Sequence, residues 1–431
     1  MTTTSLNDFR NRSRRAFSFV DLFCGAGGFS EGFMLASNPH GALRPIAASD
    51  INDTVRMTYE NRFRTQLGLA VKFIRGDIRH PSVRKRITRA VDASGQRADV
   101  VCGGPPCQGF ALFGARRQSD PRNDLFLSYL DVIEALRPSY FVMENVPGLV
   151  HMYKGATVPR IHDAVEAMED PGYRLTGPIF VNAADYGVPQ VRERVLFIGS
   201  RSDVPIVDSL PAQRQPDDYV TVGEAIGDLA FLQPWEQAEA YDSSLPATSD
   251  YQAQSRRGRL FAELSADAPD GALWNHQAAR HSPDVLARFS VMAPGAGLES
   301  IPRALWDTHL QTKKKWCVRL RTDRPSNTVV TLPDDLVHPT QPRILTVREL
   351  ARLQSFDDTL QFLGPRSTGG GGRGNKLRTV QVPQYSQVGN AIPPLLARAI
   401  GDRLLAALAS ADGKSDRGAR DARRKVAECA S

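Results

Sequence analysis

Phe17-Ser18-Phe19-Val20-Asp21-Leu22-Phe23, then Cys24-Gly25-Ala26-Gly27-Gly28, then Phe29-Ser30-Glu31-Gly32-Phe33-Met34-Leu35 is the stretch that decides the fold. A near-continuous apolar run of seven residues reads as a buried strand. The glycines read as a tight turn, and the apolar spacing after them is helical. Pro45-Ile46-Ala47-Ala48, Val71-Lys72-Phe73-Ile74, Ala98-Asp99-Val100-Val101-Cys102 and Tyr140-Phe141-Val142-Met143 repeat the strand pattern, with helical segments between them near Asn52 to Phe63 and Phe126 to Leu136. Alternating strands and helices predict an α/β fold with a mainly parallel sheet. Its ligands sit beyond the carboxyl ends of the strands. Gly25, Asp50, Asp77, Cys107 and Glu144 all stand at such ends, so they are expected to converge on one rim.

The chain has 431 residues and a net charge of +7, from 54 Lys and Arg against 47 Asp and Glu. This suits one large or two smaller domains, and a basic balance is compatible with a polyanionic partner. No apolar run approaches the roughly 18 residues of a membrane span, and the Arg-rich start lacks the apolar core of a secretory signal, so a cytoplasmic protein is expected. Five cysteines without CxxC spacing argue against a zinc site or a disulfide framework, and no metal is expected. Residues 1–16 read as a disordered basic arm, 17–200 as the catalytic and cofactor-binding domain, and 201–342 as a second, mixed domain. Residues 343–410 read as a return to the first domain with a final helix near 387–405, and 411–431 as a disordered charged tail.

Each candidate residue has a plain structural alternative beside its chemical reading. The glycine turn at Gly25 to Gly28 lets backbone approach a ligand at a helix N-terminus, and Asp50 could accept from ribose hydroxyls; a simple tight turn is the alternative. Asp77 could accept from an adenine amine or merely cap a helix. Pro105-Pro106 holds Cys107 in a rigid bend, as a nucleophile requires, whereas most cysteines are inert and buried. Glu144 would be half buried, which favours its protonated form, unless it is paired with arginine. Arg192 and Arg194 alternate onto one face before the strand Val195 to Ile198 and suit an oxygen-rich ligand, or a solvated edge. Lys313, Lys314 and Lys315, with Arg319, Arg321 and Arg324 close behind, form a basic cluster that could equally be a solvated face.

Six blocks in order resemble the signature of the DNA (cytosine-5) methyltransferases of bacterial type. They are Asp21 to Phe29, Gly104-Pro105-Pro106-Cys107-Gln108-Gly109-Phe110, Glu144-Asn145-Val146, Gln190-Val191-Arg192-Glu193-Arg194, Arg348 to Phe356, and Gln387 to Pro394. The resemblance covers residues 19–400. It implies a Rossmann-like S-adenosylmethionine-dependent methyltransferase fold with a smaller target-recognition domain. The cofactor S-adenosyl-L-methionine would be held by Phe23, Gly25, Gly27, Asp50, Ile51, Asp77, Ile78, Pro106, Leu125 and Asn390. In the implied reaction Cys107 adds to C6 of a cytosine flipped out of duplex DNA, Glu144 hydrogen-bonds N3 and N4, and Arg194 holds O2, with Arg192 beside it. Addition at C6 makes C5 nucleophilic, and loss of the C5 proton after methylation expels the thiol.

Gln108, Thr328, Val329 and Lys313 to Lys315 would meet DNA. A monomer acting on duplex DNA at the bacterial nucleoid is expected, and a cognate restriction endonuclease is a candidate partner. Three departures from the family pattern stand out: Ala111 in place of serine, Phe356-Asp357-Asp358 in place of Phe-Pro-Asp, and the glycine-rich insert at 369–374. A tRNA cytosine-5 methyltransferase on the same fold, and a DNA-binding protein without activity, are the alternatives.

Overall fold

The computed structural model describes residues 15–429 except 40, 107–123, 170, 263–271, 307–309, 313, 315 and 368–380. Strand β1 (Ala16–Leu22) is followed by α1 (Gly28–Leu35), β2 (Ser37–Asn38) and β3 (Gly41–Asp50). Next come α2 (Asp53–Glu60), β4 (Lys72–Arg75), α3 (Pro81–Ala93), β5 (Val100–Gly103), α4 (Asp124–Leu136), β6 (Tyr140–Asn145), α5 (Thr157–Glu166), β7 (Tyr173–Asn182) and β8 (Glu193–Arg201). These strands form one eight-stranded sheet in the order β2-β3-β1-β5-β6-β8-β7, with β4 also paired to β3. β4, β3, β1, β5 and β6 run parallel, and β8 is antiparallel to both β6 and β7. Strand order therefore reverses at β1, whose carboxyl end opens the crevice where ligands of such sheets bind.

Alternation along β1 explains how one strand serves two cores. Phe17 and Phe19 point into a cluster closed by Phe29, Phe33, Leu396, Ile400 and Leu404, while Val20 and Leu22 point into one closed by Val83, Ile87, Tyr129 and Ile133. Apolar side chains on both faces account for the near-continuous hydrophobic run read in the sequence. The final helices are α9 (Gln384–Asn390) and α10 (Pro394–Cys429), and α10 packs its apolar face over β1 and α1. The chain from Ala411, expected to be a disordered tail, continues α10 as helix to Cys429. The basic arm lies outside the described residues apart from Arg15 and Ala16, and Ala16 opens β1.

Most buried apolar residues of 201–342 belong to two cores, with Val204, Val207 and Leu260 packed into clusters of the first domain. Val220, Ile226, Tyr251, Leu320, Val329 and Leu336 share a core with Leu345, Leu350, Leu353 and Val388, so the expected boundary at 342 runs through packed side chains. Phe289, Met292, Ile301, Leu310 and Cys317 make a second core with Val337 and Ile344. Within this region α6 (Val222–Ile226) and α7 (Asp250–Arg257) flank α8 (Val347–Leu353). Thr346 and Glu349 form a reciprocal N-terminal cap on α8. Glu349 also takes both terminal nitrogens of Arg343 at 2.8 and 2.7 Å. Arg352 is fully buried between Asp228 and Asp358. Leaving either carboxylate unpaired there would cost several kcal/mol. No described helix is long and apolar enough to cross a membrane.

Candidate active site

A cavity of about 620 Å³ lies beyond the carboxyl ends of β1, β3, β5 and β6. Its wall includes Phe23, Gly25, Asp50, Ile51, Asp77, Ile78, Pro106, Leu125, Glu144, Arg192, Arg194 and Asn390. Twelve positions spread over more than 360 residues of sequence thus meet at one place, as the strand-end argument requires.

The glycine turn is built by left-handed backbone at Phe23, Gly25 and Gly27, with φ of 54°, 54° and 90°. Gly25 donates its N–H to Asp50 at 3.2 Å, and Asn52 donates to the same carboxylate at 2.9 Å. Burial raises the Asp50 pKa while these backbone donors oppose the shift. A Cβ on Gly25 would meet no protein atom within 4 Å, so the turn leaves open space beside the Asp50 carboxylate. A Cβ on Gly27 would collide with the Phe63 ring. The turn is therefore open on the cavity side and seated on aromatic rings behind. Ile51 is 61% exposed, whereas Ile78 is buried.

Asp77 accepts from the backbone N–H and guanidinium of Arg79, and these hydrogen bonds hold its pKa below the ordinary carboxylate range.

At the other end of the cavity Arg194 Nε lies 2.7 Å from Glu144 Oε1. Pairing with arginine, the alternative weighed for Glu144, is thus what the geometry contains, in place of a lone desolvated acid. Two antiparallel strands impose it: Glu144 on β6 stands opposite Leu196 on β8, two residues beyond Arg194. Asn145 donates to the carbonyl of Pro105 at 3.0 Å and fixes the proline bend against the end of β6. Sequence reasoning quoted Asn145 beside Glu144 but assigned it no role; its place between a strand end and a double-proline bend was the available signal.

Arg192, expected beside a base, lines the same cavity and is also a buried tie. Its terminal nitrogens donate to the carbonyls of Val329 at 2.7 Å, Gly389 at 2.9 Å and Ala391 at 3.3 Å. Burial pushes its pKa down to about 9. Gln190 accepts from Val329 N at 2.7 Å and donates to Gln354, which donates in turn to the carbonyls of Val388 and Ala391. The knot fixes the end of α9, which carries Asn390.

Val329, expected to meet DNA, is fully buried in a hydrophobic core. Thr328 donates its hydroxyl to the carbonyl of Val191 at 2.9 Å. Lys314 is held between Asp334 and Asp335 at 2.9 and 2.7 Å, so its ammonium already has acidic partners where a phosphate was expected. Cys107, Gln108, Lys313, Lys315, Ala111 and the glycine-rich insert lie outside the described residues. Among the described residues no group of three or more His, Cys, Asp or Glu side chains could hold a metal ion.

The chain is 33% identical over 402 residues to the type II methyltransferase M.DdeI of Desulfomicrobium norvegicum, a match covering 90% of this chain and 88% of that protein. It is also 33% identical over 393 residues to the type II methyltransferase M1.HphI of Haemophilus parahaemolyticus, covering 90% and 87%. A DNA modification methyltransferase encoded within an Escherichia coli prophage shares the fold, with a TM-score of 0.66 at 24% identity over 91% of this chain and 99% of that one. The family model described as C-5 cytosine-specific DNA methylase matches residues 17–406. With that span, these relatives and a strand-end cavity lined by five of the six blocks, the chain belongs to the C-5 cytosine-specific DNA methylases and is an S-adenosylmethionine-dependent enzyme that methylates cytosine in DNA at C5.

Proposed function

We propose that the cavity binds S-adenosyl-L-methionine at the β1–β3 end and a flipped cytosine at the β6–β8 end, with Cys107 as the nucleophile. The observation that carries this reading is the shared wall. Asp50, Asp77, Glu144 and Arg194 line one cavity together with Pro106, the residue bonded to Cys107. The open cradle at Gly25 and the buried Asp50 carboxylate fit the cofactor's ribose, and Ile51 and Ile78 fit the faces of its adenine. Bound there, the cofactor supplies the methyl group as a sulfonium electrophile.

The chain's own residues supply the rest. Cys107, as thiolate, adds to C6 of the cytosine. Glu144 holds N3 and N4, with Oε1 kept in place by Arg194, and hydrogen bonding at N3 lowers the barrier to addition by drawing charge from the ring. Arg194 also faces O2. Glu144 Oε2 lies where a Cβ on Gly104 would be only 3.1 Å away. That glycine leaves room for the base edge. Loss of the C5 proton then expels the thiol and frees the product.

Residues 201–342, with Lys313, Lys315 and Thr328, read the target sequence and neutralise phosphates. The enzyme works as a monomer on the DNA of a bacterial cytoplasm, and the type II naming of its relatives supports a cognate restriction endonuclease as partner. Incubating the protein with labelled cofactor and unmethylated duplex DNA, then digesting to nucleosides, tests the reaction. Label should appear in 5-methylcytosine and disappear in Cys107→Ser. Label in N4-methylcytosine, or turnover retained in Cys107→Ser, would overturn the reading.

A further inference from the structure

A short hook from the inserted region reaches the apolar cluster that seats the glycine turn. Gly258, at φ +80°, turns the chain out of α7 and brings it so close to Thr359 that a Cβ would lie 2.7 Å from its hydroxyl. The next residues wedge into the first domain. Leu260 is 2% exposed and buried in a cluster with Cys24, Met34, Tyr59 and Phe63. Tyr59 and Phe63 are the rings on which Gly27 rests, with their centroids 4.3 Å apart. Leu260 therefore shares one apolar cluster with the rings that seat the turn.

Ion pairs fix the hook at this depth. Arg259 engages the Asp357 carboxylate through both its backbone N–H and its guanidinium. This pairing gives Asp357, a departure from the family's Phe-Pro-Asp pattern, a physical role. Beside it Arg62 is fully buried, grips Glu31 on α1 and donates to Thr359 Oγ1 at 3.2 Å. Arg62 belongs to a widened π-helical turn, Asn61–Gln66. Such turns are rare and often functional. Its guanidinium carbon lies 5.2 Å from the centroid of the Phe261 ring. Neither Leu260 nor Arg259 is part of the cavity wall.

We propose that Leu260, locked by the Arg259–Asp357 pair, is a positioning residue for the cofactor site: it sets the height of the glycine turn through that shared cluster, so the inserted region tunes cofactor affinity without touching the cofactor. The proposal rests on the reading that the cavity binds S-adenosylmethionine. Close packing transmits a displacement of this kind because a core cannot absorb a missing side chain without movement.

The test uses full-length Leu260→Ala, Leu260→Met and, as a control in a distant core, Ile301→Ala. Affinity for S-adenosylmethionine is measured by calorimetry, and methyl transfer is assayed on sonicated unmethylated bacterial DNA. Leu260→Ala should weaken cofactor binding about tenfold and raise its KM alike, with kcat at saturating cofactor and KM for DNA within about twofold of wild type. Leu260→Met should restore the affinity, and Ile301→Ala should leave it unchanged. If Leu260→Ala does not fold, Leu260→Val takes its place, with a weakening of about threefold expected. Wild-type affinity in the folded Leu260 variant, or an equal loss in Ile301→Ala, overturns the proposal. A wild-type protein that does not bind the cofactor would instead overturn the reading of the cavity.

Discussion

Arg194 on β8 holds Glu144 on β6 by a 2.7 Å contact between its Nε and Oε1 of the carboxylate, inside the same cavity that Asp50 and Asp77 line at the far end. The pair is only 10% and 14% exposed, so neither charge is well screened by water. Its geometry comes from the sheet, because antiparallel pairing of β6 with β8 fixes which side chains face one another.

Glu144→Gln keeps the shape but removes the charge that the Arg194 contact orients. Turnover should fall by about 10²-fold to 10⁴-fold, with cofactor affinity unchanged. Arg194→Ala should lower kcat by a similar factor. Single-turnover kinetics with calorimetry on each variant separates the two effects, and a loss of cofactor affinity matching the loss of rate would contradict this division of the cavity.

Asp50 accepts from Gly25 and Asn52 and faces the open cradle. Asp50→Ala removes an acceptor whose hydrogen bonds to ligand hydroxyls are charge-assisted, worth about 1.5–3 kcal/mol, so affinity for S-adenosylmethionine should fall roughly 10- to 100-fold. Calorimetry reads this directly, and unchanged affinity would rule out the ribose role.

His276 and His338 are buried near Glu349, and desolvation lowers both pKa values to about 4, against 6.5 when exposed. The His276 ring proton sits on Nε2, which donates to the Leu229 carbonyl at 3.1 Å. Each ring takes up a proton more readily in the unfolded chain. The stability they contribute is therefore complete above pH 6.5 and is lost as pH falls towards 4, by roughly 3 kcal/mol per ring at full titration. Urea midpoints between pH 7.5 and 4.5 should fall more steeply for the wild type than for His276→Gln, and parallel curves would refute this.

Asp21 runs the other way. It is fully buried under the glycine turn, accepts from Ser30 Oγ at 2.7 Å, and desolvation raises its pKa to about 7. A raised acid binds its proton more tightly when folded, so its contribution is present below about pH 4 and is lost as pH rises through 7. The stability of Asp21→Asn relative to wild type should grow between pH 4 and 7 and then level off. A gap that stays constant with pH would show that Asp21 does not change protonation in that window.

Where the sequence was legible, period and punctuation did the explaining. The runs from Phe17 and Tyr140 are strands because both faces of the sheet are covered there, and Asp50, Asp77 and Glu144 meet because each stands at or just beyond the carboxyl end of a strand. The ties made by Arg192, Val329 and Lys314 are not legible in the sequence for one reason: their partners lie 137, 139 and 21 positions away, and no local pattern records a hydrogen bond to a distant backbone carbonyl, side-chain amide or acid. The Arg348 to Phe356 block was legible as a family mark but not as buried ionic packing, since Arg352 meets Asp228 only in the folded chain. The charged tail carried no apolar stripe to announce a helix, yet α10 continues through it.

The central claim is that a thiol of this chain bonds to cytosine during turnover. Incubating the protein and S-adenosylmethionine with duplex DNA that contains 5-fluorocytosine stalls the reaction, because fluorine cannot leave as the C5 proton does. Denaturing electrophoresis followed by peptide mass mapping should find a stable protein–DNA adduct on the peptide containing Cys107, absent in Cys107→Ser. Full methylation of ordinary DNA with no such adduct, or an adduct on Cys24, Cys102 or Cys317, would contradict the account.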